Sequence, residues 1–341
     1  MFGKRGKINL IIDGQFGSCG KGLVSSYFSP QIGEALHCST NGANSGHTSY
    51  LSDKKVILHH LPTSAIHRYA KDDVYIGPGS VINPKQLADE IAEHANRIGT
   101  IVISPYIAVI TQADIDAEAD IAKSRGSTAS GTGAAFTRKI MRRYDELPYR
   151  QLLAEWGKIG FSHANYDTKF DEVDWSVTLD RMPALMEVAQ GFGLSLNSSH
   201  YPYCTSRDVT PAQALSDIGA HPSALGDVCM VIRTYPIRVG GKSGPFFEDS
   251  IEIDFDKIQQ EEELTTVTQK VRRIATFSYY QFERAVKKIQ PNYLFVNFMN
   301  YFQSTAQEQG FLRSLDLDRF DEVYLGYGPT RKDVKKWRDT K

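Results

Sequence analysis

Short apolar runs recur along the chain, with room for a helix between most of them. Residues 8–12 form the first, and 74–76, 101–103, 228–232, 293–298 and 322–325 repeat the pattern with β-branched and aromatic residues. Runs this short, without regular polar alternation, suit strands covered on both faces. Helical periodicity fills 84–98, 113–123, 182–189, 211–218 and 278–289. This alternation predicts an α/β fold, a largely parallel central β-sheet flanked by helices. No internal repeat, low-complexity tract or linker divides the sequence, so residues 1–341 are expected to form a single domain with insertions. The opening run is too short for a signal segment or membrane span and glycine follows at once, so it reads as the first strand, with no targeting segment expected.

Glycine-dense loops punctuate this pattern at 13–23, 40–48, 126–133 and 326–330. Backbone amides converge on an anion only where Cβ atoms do not obstruct them. Each loop carries Lys, His, Ser or Thr beside its glycines, so ligand binding explains the set better than tight turns do. The first, Asp13-Gly14-Gln15-Phe16-Gly17-Ser18-Cys19-Gly20-Lys21-Gly22, follows the first strand as a phosphate loop would. It departs from the Walker A pattern, with Gln15 in place of a glycine and Gly22 where a magnesium-binding Ser or Thr belongs. Lys21 is its candidate for stabilising a transferring phosphoryl group. The second, Asn41-Gly42-Ala43-Asn44-Ser45-Gly46-His47-Thr48, places His47 shortly downstream, where it is a better acid–base candidate than a lone histidine.

A net charge of −1 at pH 7 gives no electrostatic case for a nucleic acid or membrane partner. The basic clusters Arg138-Lys139 with Arg142-Arg143, and 331–336, read as solvated faces. Cysteines 19, 38, 204 and 229 show no CxxC pairing, which argues against a zinc site or disulfide framework and for a reducing, cytoplasmic compartment. Cys19 reads as a small residue filling space in its loop.

The two loops resemble those of the adenylosuccinate synthetase family, QWGDEGKGK and GxNAGHT, which appear here as QFGSCGKGL and GANSGHT. The likeness continues in order through His60-Leu61-Pro62-Thr63, Ile76-Gly77-Pro78-Gly79, Gly126-Ser127-Thr128, Val188-Ala189-Gln190-Gly191, Tyr201-Pro202-Tyr203-Cys204-Thr205-Ser206, Arg238-Val239-Gly240-Gly241 and Gly326-Tyr327-Gly328-Pro329. It implies that family's P-loop-related fold and a Mg2+-dependent ligase. The purine O6 would take a phosphoryl group from a triphosphate, and the amine of L-aspartate would then displace it at C6. The resemblance assigns the triphosphate to Gly17, Gly20, Lys21, Gly22, Gly46, His47, Thr48, Asn297, Asn300, Gly328 and Pro329. His47 would be the acid near O6, Gln190 would hydrogen-bond O6, and these two join Ser18 and Lys21 as the catalytic set. Ser18, Asn44, Ser127, Thr128, Gln190, Thr205 and Gly240 would contact the purine monophosphate, Thr128 and Thr205 through its 5′-phosphate. Arg142 would reach that phosphate from a partner subunit, which implies a homodimer. Thr265, Thr266, Val267, Thr268, Lys270 and Arg272 match the loop that grips the aspartate carboxylates. Metal ligation would fall to the Gly46 carbonyl and to the Ser18 position.

Three departures bear on the substrates. Ser18 replaces the family's catalytic aspartate, and serine is a poor base but leaves room and an acceptor for a 2-amino group. That points to a guanine nucleotide as the base being aminated. Asn297-Phe298-Met299-Asn300 replaces the family's guanine-reading TKLD, so discrimination for GTP should weaken, and ATP or dATP is the expected phosphoryl donor. Lys270 takes the place of an arginine and cannot copy its planar fork. Ser18 and the lost guanine reader together resemble a phage-type branch that acts on dGMP to supply 2-aminoadenine for modified DNA, in the host cytoplasm. The acceptor of the purine N1 proton stays open between Asp13, water and a phosphate oxygen. The rival readings are the ordinary IMP and GTP reaction, and a catalytically silent nucleotide-binding homologue.

Overall fold

The computed structural model describes residues 1–68, 71–125, 129–197, 200–265 and 269–340, except for the side chains of 120–125 and 339–340. Its main strands are β1 (Ile8–Asp13), β2 (Leu36–Ser39), β3 (Asp72–Ile76), β4 (Ile98–Ile103), β5 (Thr168–Phe170), β6 (Ala184–Glu187), β7 (Leu225–Arg233), β8 (Tyr293–Asn297), β9 (Glu322–Gly326) and β10 (Val334–Lys336). They form one 10-stranded sheet in the order β10-β9-β8-β7-β1-β6-β2-β3-β4-β5. Every pairing is parallel except the edge pair β9 and β10. The expected largely parallel sheet with flanking helices is therefore present.

Strand β1 shows why its run is apolar at almost every position. Ile8, Leu10 and Ile12 pack into one hydrophobic cluster, which also holds Phe282 and Ile289 of the helix Tyr279–Ile289. Ile11 points to the other face, among Val24 and Phe28 of helix α1 (Lys21–Ile32). With both faces covered, alternation disappears from the sequence.

One expected element is corrected. The segment 182–189, read as helical, holds β6, all of whose residues are buried. Enclosed between β1 and β2, it needs apolar residues at successive positions, and so short a run carries no period that separates strand from helix. The helix expected over 84–98 stops at His94, and Ile98 opens β4. The 113–123 and 211–218 helices appear as Gln112–Arg125 and Pro211–Asp217, and Ser278 caps the helix at 279 by accepting from the Gln281 amide.

Parallel strands put their carboxyl ends on one edge of the sheet, where α/β proteins bind ligands. β1, β2, β6, β7, β8 and β9 end there at Asp13, Ser39, Glu187, Arg233, Asn297 and Gly326. The glycine loops at 14–20 and 327–330 leave from this edge. Among the described residues, no helix is long and apolar enough to cross a membrane.

Candidate active site

Asp13 organises the first loop from below. It is fully buried, its Oδ1 accepts from the amides of Gln15 at 2.8 Å and Gly17 at 3.2 Å, and its Oδ2 accepts from the Cys19 amide at 3.1 Å. Lys21 Nζ lies 3.6 Å from the same Oδ2. With its oxygens engaged in this way, Asp13 shapes the loop and is not placed as an accessible base. The loop then turns through left-handed residues, Gly17, Ser18 and Gly20, which lift Ser18 to an exposed tip. Cys19 is buried, donates to Gln15 Oε1 at 3.1 Å, and burial drives its thiol pKa far up, as befits a packing residue.

Gly22 explains the missing Walker A hydroxyl. A Cβ there would stand 2.1 Å from the Thr48 carbonyl oxygen, so α1 rides directly on the strand opened by His47 (His47–Leu51). That contact ties the first glycine loop to the second. A third loop joins them after β6. A Cβ on Gly191 would lie 2.3 Å from the Gly17 amide nitrogen, and Lys21 Nζ donates to the Gln190 carbonyl at 2.8 Å.

His47 is buried in this junction, with Nδ1 2.9 Å from Glu187 Oε1 and 3.4 Å from Asn41 Nδ2. Glu187, the last residue of β6, is fully buried, and its Oε2 accepts from the Thr63 amide at 3.1 Å and the Thr63 hydroxyl at 2.7 Å. Burial opposes its charge, but His47, Thr63 and Lys21 hold the carboxyl down at about 2. An anionic partner at Nδ1 fixes the ring and leaves Nε2 for a ligand. Reading the sequence alone missed Glu187, because nothing near position 187 advertises a partner in the second loop.

Phe16, Asn44 and Gln190 carry the three loops to a cavity of about 870 Å³, which Thr205, Arg143 and Arg238 also line. Of the residues expected for the purine monophosphate, Asn44, Gln190 and Thr205 line it, while Ser18, Gly240 and Arg142 do not; Ser127 and Thr128 lie outside the described residues. Within one chain Arg143 faces this cavity, and Arg142 is exposed on a left-handed turn. Arg238 was matched only as part of a motif, yet it is buried, donates to Ser243 and Tyr203 carbonyls, and sits 4.3 Å over the Phe16 ring. Burial and the neighbouring Arg273 pull its pKa to about 10.

The other expected groups are more scattered. Gly46 is half-buried beside His47, and Thr48 follows it. Asn297 is buried and turned under the first loop, where its amide donates to the Cys19 carbonyl at 2.7 Å. Asn300 and Pro329 are exposed, and Gly328 abuts Asp333 of the closing turn. Thr265 is buried, with Oγ1 accepting the Lys270 amide at 2.9 Å; Lys270 is exposed and Arg272 donates to the Leu264 carbonyl at 3.2 Å. Thr266, Val267 and Thr268 lie outside the described residues. Among the described residues, no three His, Cys, Asp or Glu side chains gather as a metal cage. The oxygen donors of Gly46 and Ser18 suit a hard cation that keeps waters and phosphate oxygens as its other ligands.

A strand-end glycine loop, a histidine held by a buried carboxylate and the cavity lined by Phe16, Asn44 and Gln190 suit a nucleotide-handling ligase. The chain belongs to the adenylosuccinate synthetase family, whose model matches residues 10–156 and 172–307. Within the family it is similar to N6-succino-2-amino-2′-deoxyadenylate synthase of Vibrio phage phiVC8, 36% identical over 97% of this chain and 98% of that one. The enzyme of the same name from Salmonella phage PMBT28 is 33% identical over 96% and 97%. Among solved structures, the cyanophage S-2L succinoaminodeoxyadenylate synthetase (PurZ), bound to dGMP and to dATP as an energy donor, superposes with a TM-score of 0.88 at 33% identity, covering 98% of this chain and 96% of that one. Adenylosuccinate synthetase from Plasmodium falciparum, at 18% identity, shares the fold with a TM-score of 0.75 over 96% of this chain and 99% of that one.

Proposed function

We propose that residues 1–341 act as a single domain that condenses L-aspartate with dGMP at purine C6, using ATP or dATP, to give N6-succino-2-amino-2′-deoxyadenylate, the nucleoside diphosphate and phosphate. The observation that carries this reading is Ser18, raised at an exposed left-handed tip of the first loop where the family has an aspartate. A hydroxyl there is smaller than a carboxylate, so it leaves room for the guanine 2-amino group and can accept a hydrogen bond from it. The dGMP and dATP bound by the cyanophage enzyme, and the synthase activity for which the phage relatives are named, support the same substrates.

In the first step O6 attacks the γ-phosphorus, the bond to the leaving diphosphate breaks, and the N1 proton passes to water or to a phosphate oxygen. Lys21 holds the moving phosphoryl group, and Gln190 positions O6. In the second step the aspartate amine attacks C6 and the C6–O6 bond breaks, so that O6 leaves with phosphate. His47, fixed by Glu187, meets the charge developing on O6 through Nε2. The segment 265–272 grips the aspartate, and Asn44, Ser127, Thr128, Thr205 and Gly240 hold the nucleotide, with Arg142 supplied by the second subunit of a homodimer. Mg2+ would be held by the Gly46 carbonyl and Ser18 and would neutralise charge on the phosphates. Asn300, Gly328 and Pro329 border the donor base, and Asn297 supports them from under the loop. The site of action is the cytoplasm of the host cell.

The test is phosphate release by purified protein with dGMP, GMP or IMP, each with aspartate and with ATP, dATP or GTP. Turnover confined to dGMP with an adenine triphosphate is expected. Turnover of IMP with GTP in preference to dGMP would restore the ordinary family reaction. Silence in folded, nucleotide-binding protein would make the chain a binding homologue.

A further inference from the structure

Arg233 ends β7 fully buried beneath the first loop. Its Nη1 donates to the Ser18 carbonyl at 3.3 Å and to Glu263 Oε2 at 3.1 Å, its Nη2 donates to Glu263 Oε1, and its guanidinium lies 3.8 Å over the Phe298 ring. The Arg233 backbone is locked to the same loop, since its amide donates to Gln15 Oε1 at 3.0 Å and its carbonyl accepts from Gln15 Nε2 at 3.1 Å. Glu263 has a further donor in the Tyr301 hydroxyl at 2.8 Å. The chain beyond Glu263 closes on itself: the Arg272 amide donates to the Glu263 carbonyl at 2.8 Å, and Leu264 bridges Val271. A buried guanidinium cannot shed a partner cheaply, because its charge would then stand less compensated away from solvent. Movement of the Ser18 tip must therefore move Glu263 or break the pair.

We propose that Arg233 and Glu263 are positioning residues that form a strut between the tip of the glycine loop and the paired flanks 263–265 and 269–272, so that filling the phosphate site sets the geometry of those flanks. With 265–272 read as the aspartate-gripping loop, as above, the strut makes aspartate affinity depend on the bound triphosphate. Nothing in either sequence motif marks the pair, since Arg233 and Glu263 lie outside both glycine loops.

The test uses the full chain and two variants: Y301F, and R233M/E263M, which removes both charges and so avoids leaving one buried alone. Hydrogen exchange of peptides covering 263–265 and 269–272 is followed with and without ATP and Mg2+, alongside the aspartate KM at saturating and subsaturating ATP. In the unmodified protein ATP should slow exchange at these peptides and lower the aspartate KM. In the double variant, verified as folded by its thermal transition, both responses should vanish and the aspartate KM should rise roughly tenfold, the scale of a lost charge-assisted hydrogen bond. Y301F, which keeps the pair, should retain the exchange response. Protection by ATP that survives in R233M/E263M, or no protection in the unmodified protein, would overturn the strut. If protection is present and lost as expected while no aspartate is consumed, the strut stands and the functional reading of the site fails.

Discussion

The junction around His47 and the far end around Asn300 sit on the same sheet edge but are built by opposite rules. At the junction, Asp13, Lys21, His47 and Glu187 are all buried, and each polar contact is made by another group of the chain. At the far end Asn300 and Pro329 are exposed, and the buried amide nearby, Asn297, spends its donor on the Cys19 carbonyl. On the proposed reaction, the groups assigned to developing charge are already held by the chain itself, where fixed donors act most strongly. The groups assigned to the donor base face solvent and would enforce little, since strict discrimination needs buried partners left unpaired by the wrong ligand.

The largest effect that would sharpen this contrast is expected from Lys21→Ala, with kcat for phosphate release falling at least about a thousandfold, as for other cations on a transferring phosphoryl group. Retention of more than a tenth of the activity would break the assignment of the junction as the reacting end. Glu187→Gln should lower kcat by about a hundredfold, the usual scale for a mispositioned acid or base. It also carries a pH signature. The folded carboxyl titrates at about 2 against 4.5 for an ordinary glutamate, so its contribution is complete above about pH 4.5 and is lost as pH falls towards 2. That contribution is on the order of 3 kcal/mol, and urea unfolding across this window should show it in the unmodified protein and not in the glutamine variant.

Gly22→Ala should cost about 1–3 kcal/mol in the same unfolding assay, because the new methyl meets backbone and not a movable side chain. The smallest effect is expected at the other end. Asn300→Ala should change kcat/KM for ATP by less than about threefold, as exposed contacts usually do. A loss there as large as that of Glu187→Gln would show that the two regions do not differ.

What could be read from the sequence follows the same division. The loops at 13–23 and 40–48 were legible because glycine density with Lys21 and His47 is a local signal, and local signals survive without a fold. Much of the alternation of strands and helices was legible for the same reason, but the short strands β2, β5 and β10 were not anticipated, and the enclosed apolar run of β6 imitates a helix. Glu187, Arg233 and Glu263 were not legible, because each acquires its partner only when distant strand ends meet. Glu187 reaches His47 in the second loop, and Arg233 reaches both Ser18 and Glu263. Asn297 was assigned to the triphosphate from its place in a motif, and its hydrogen bond under the first loop, which depends on β8 lying two strands from β1, was not legible.

The most direct test of the central claim, that this junction phosphorylates the purine O6 before aspartate arrives at C6, is an isotope measurement. With dGMP labelled with oxygen-18 at O6, and with aspartate and ATP, the released phosphate should carry the label in step with product formation. Unlabelled phosphate accompanying a product aminated at C6 would contradict the account.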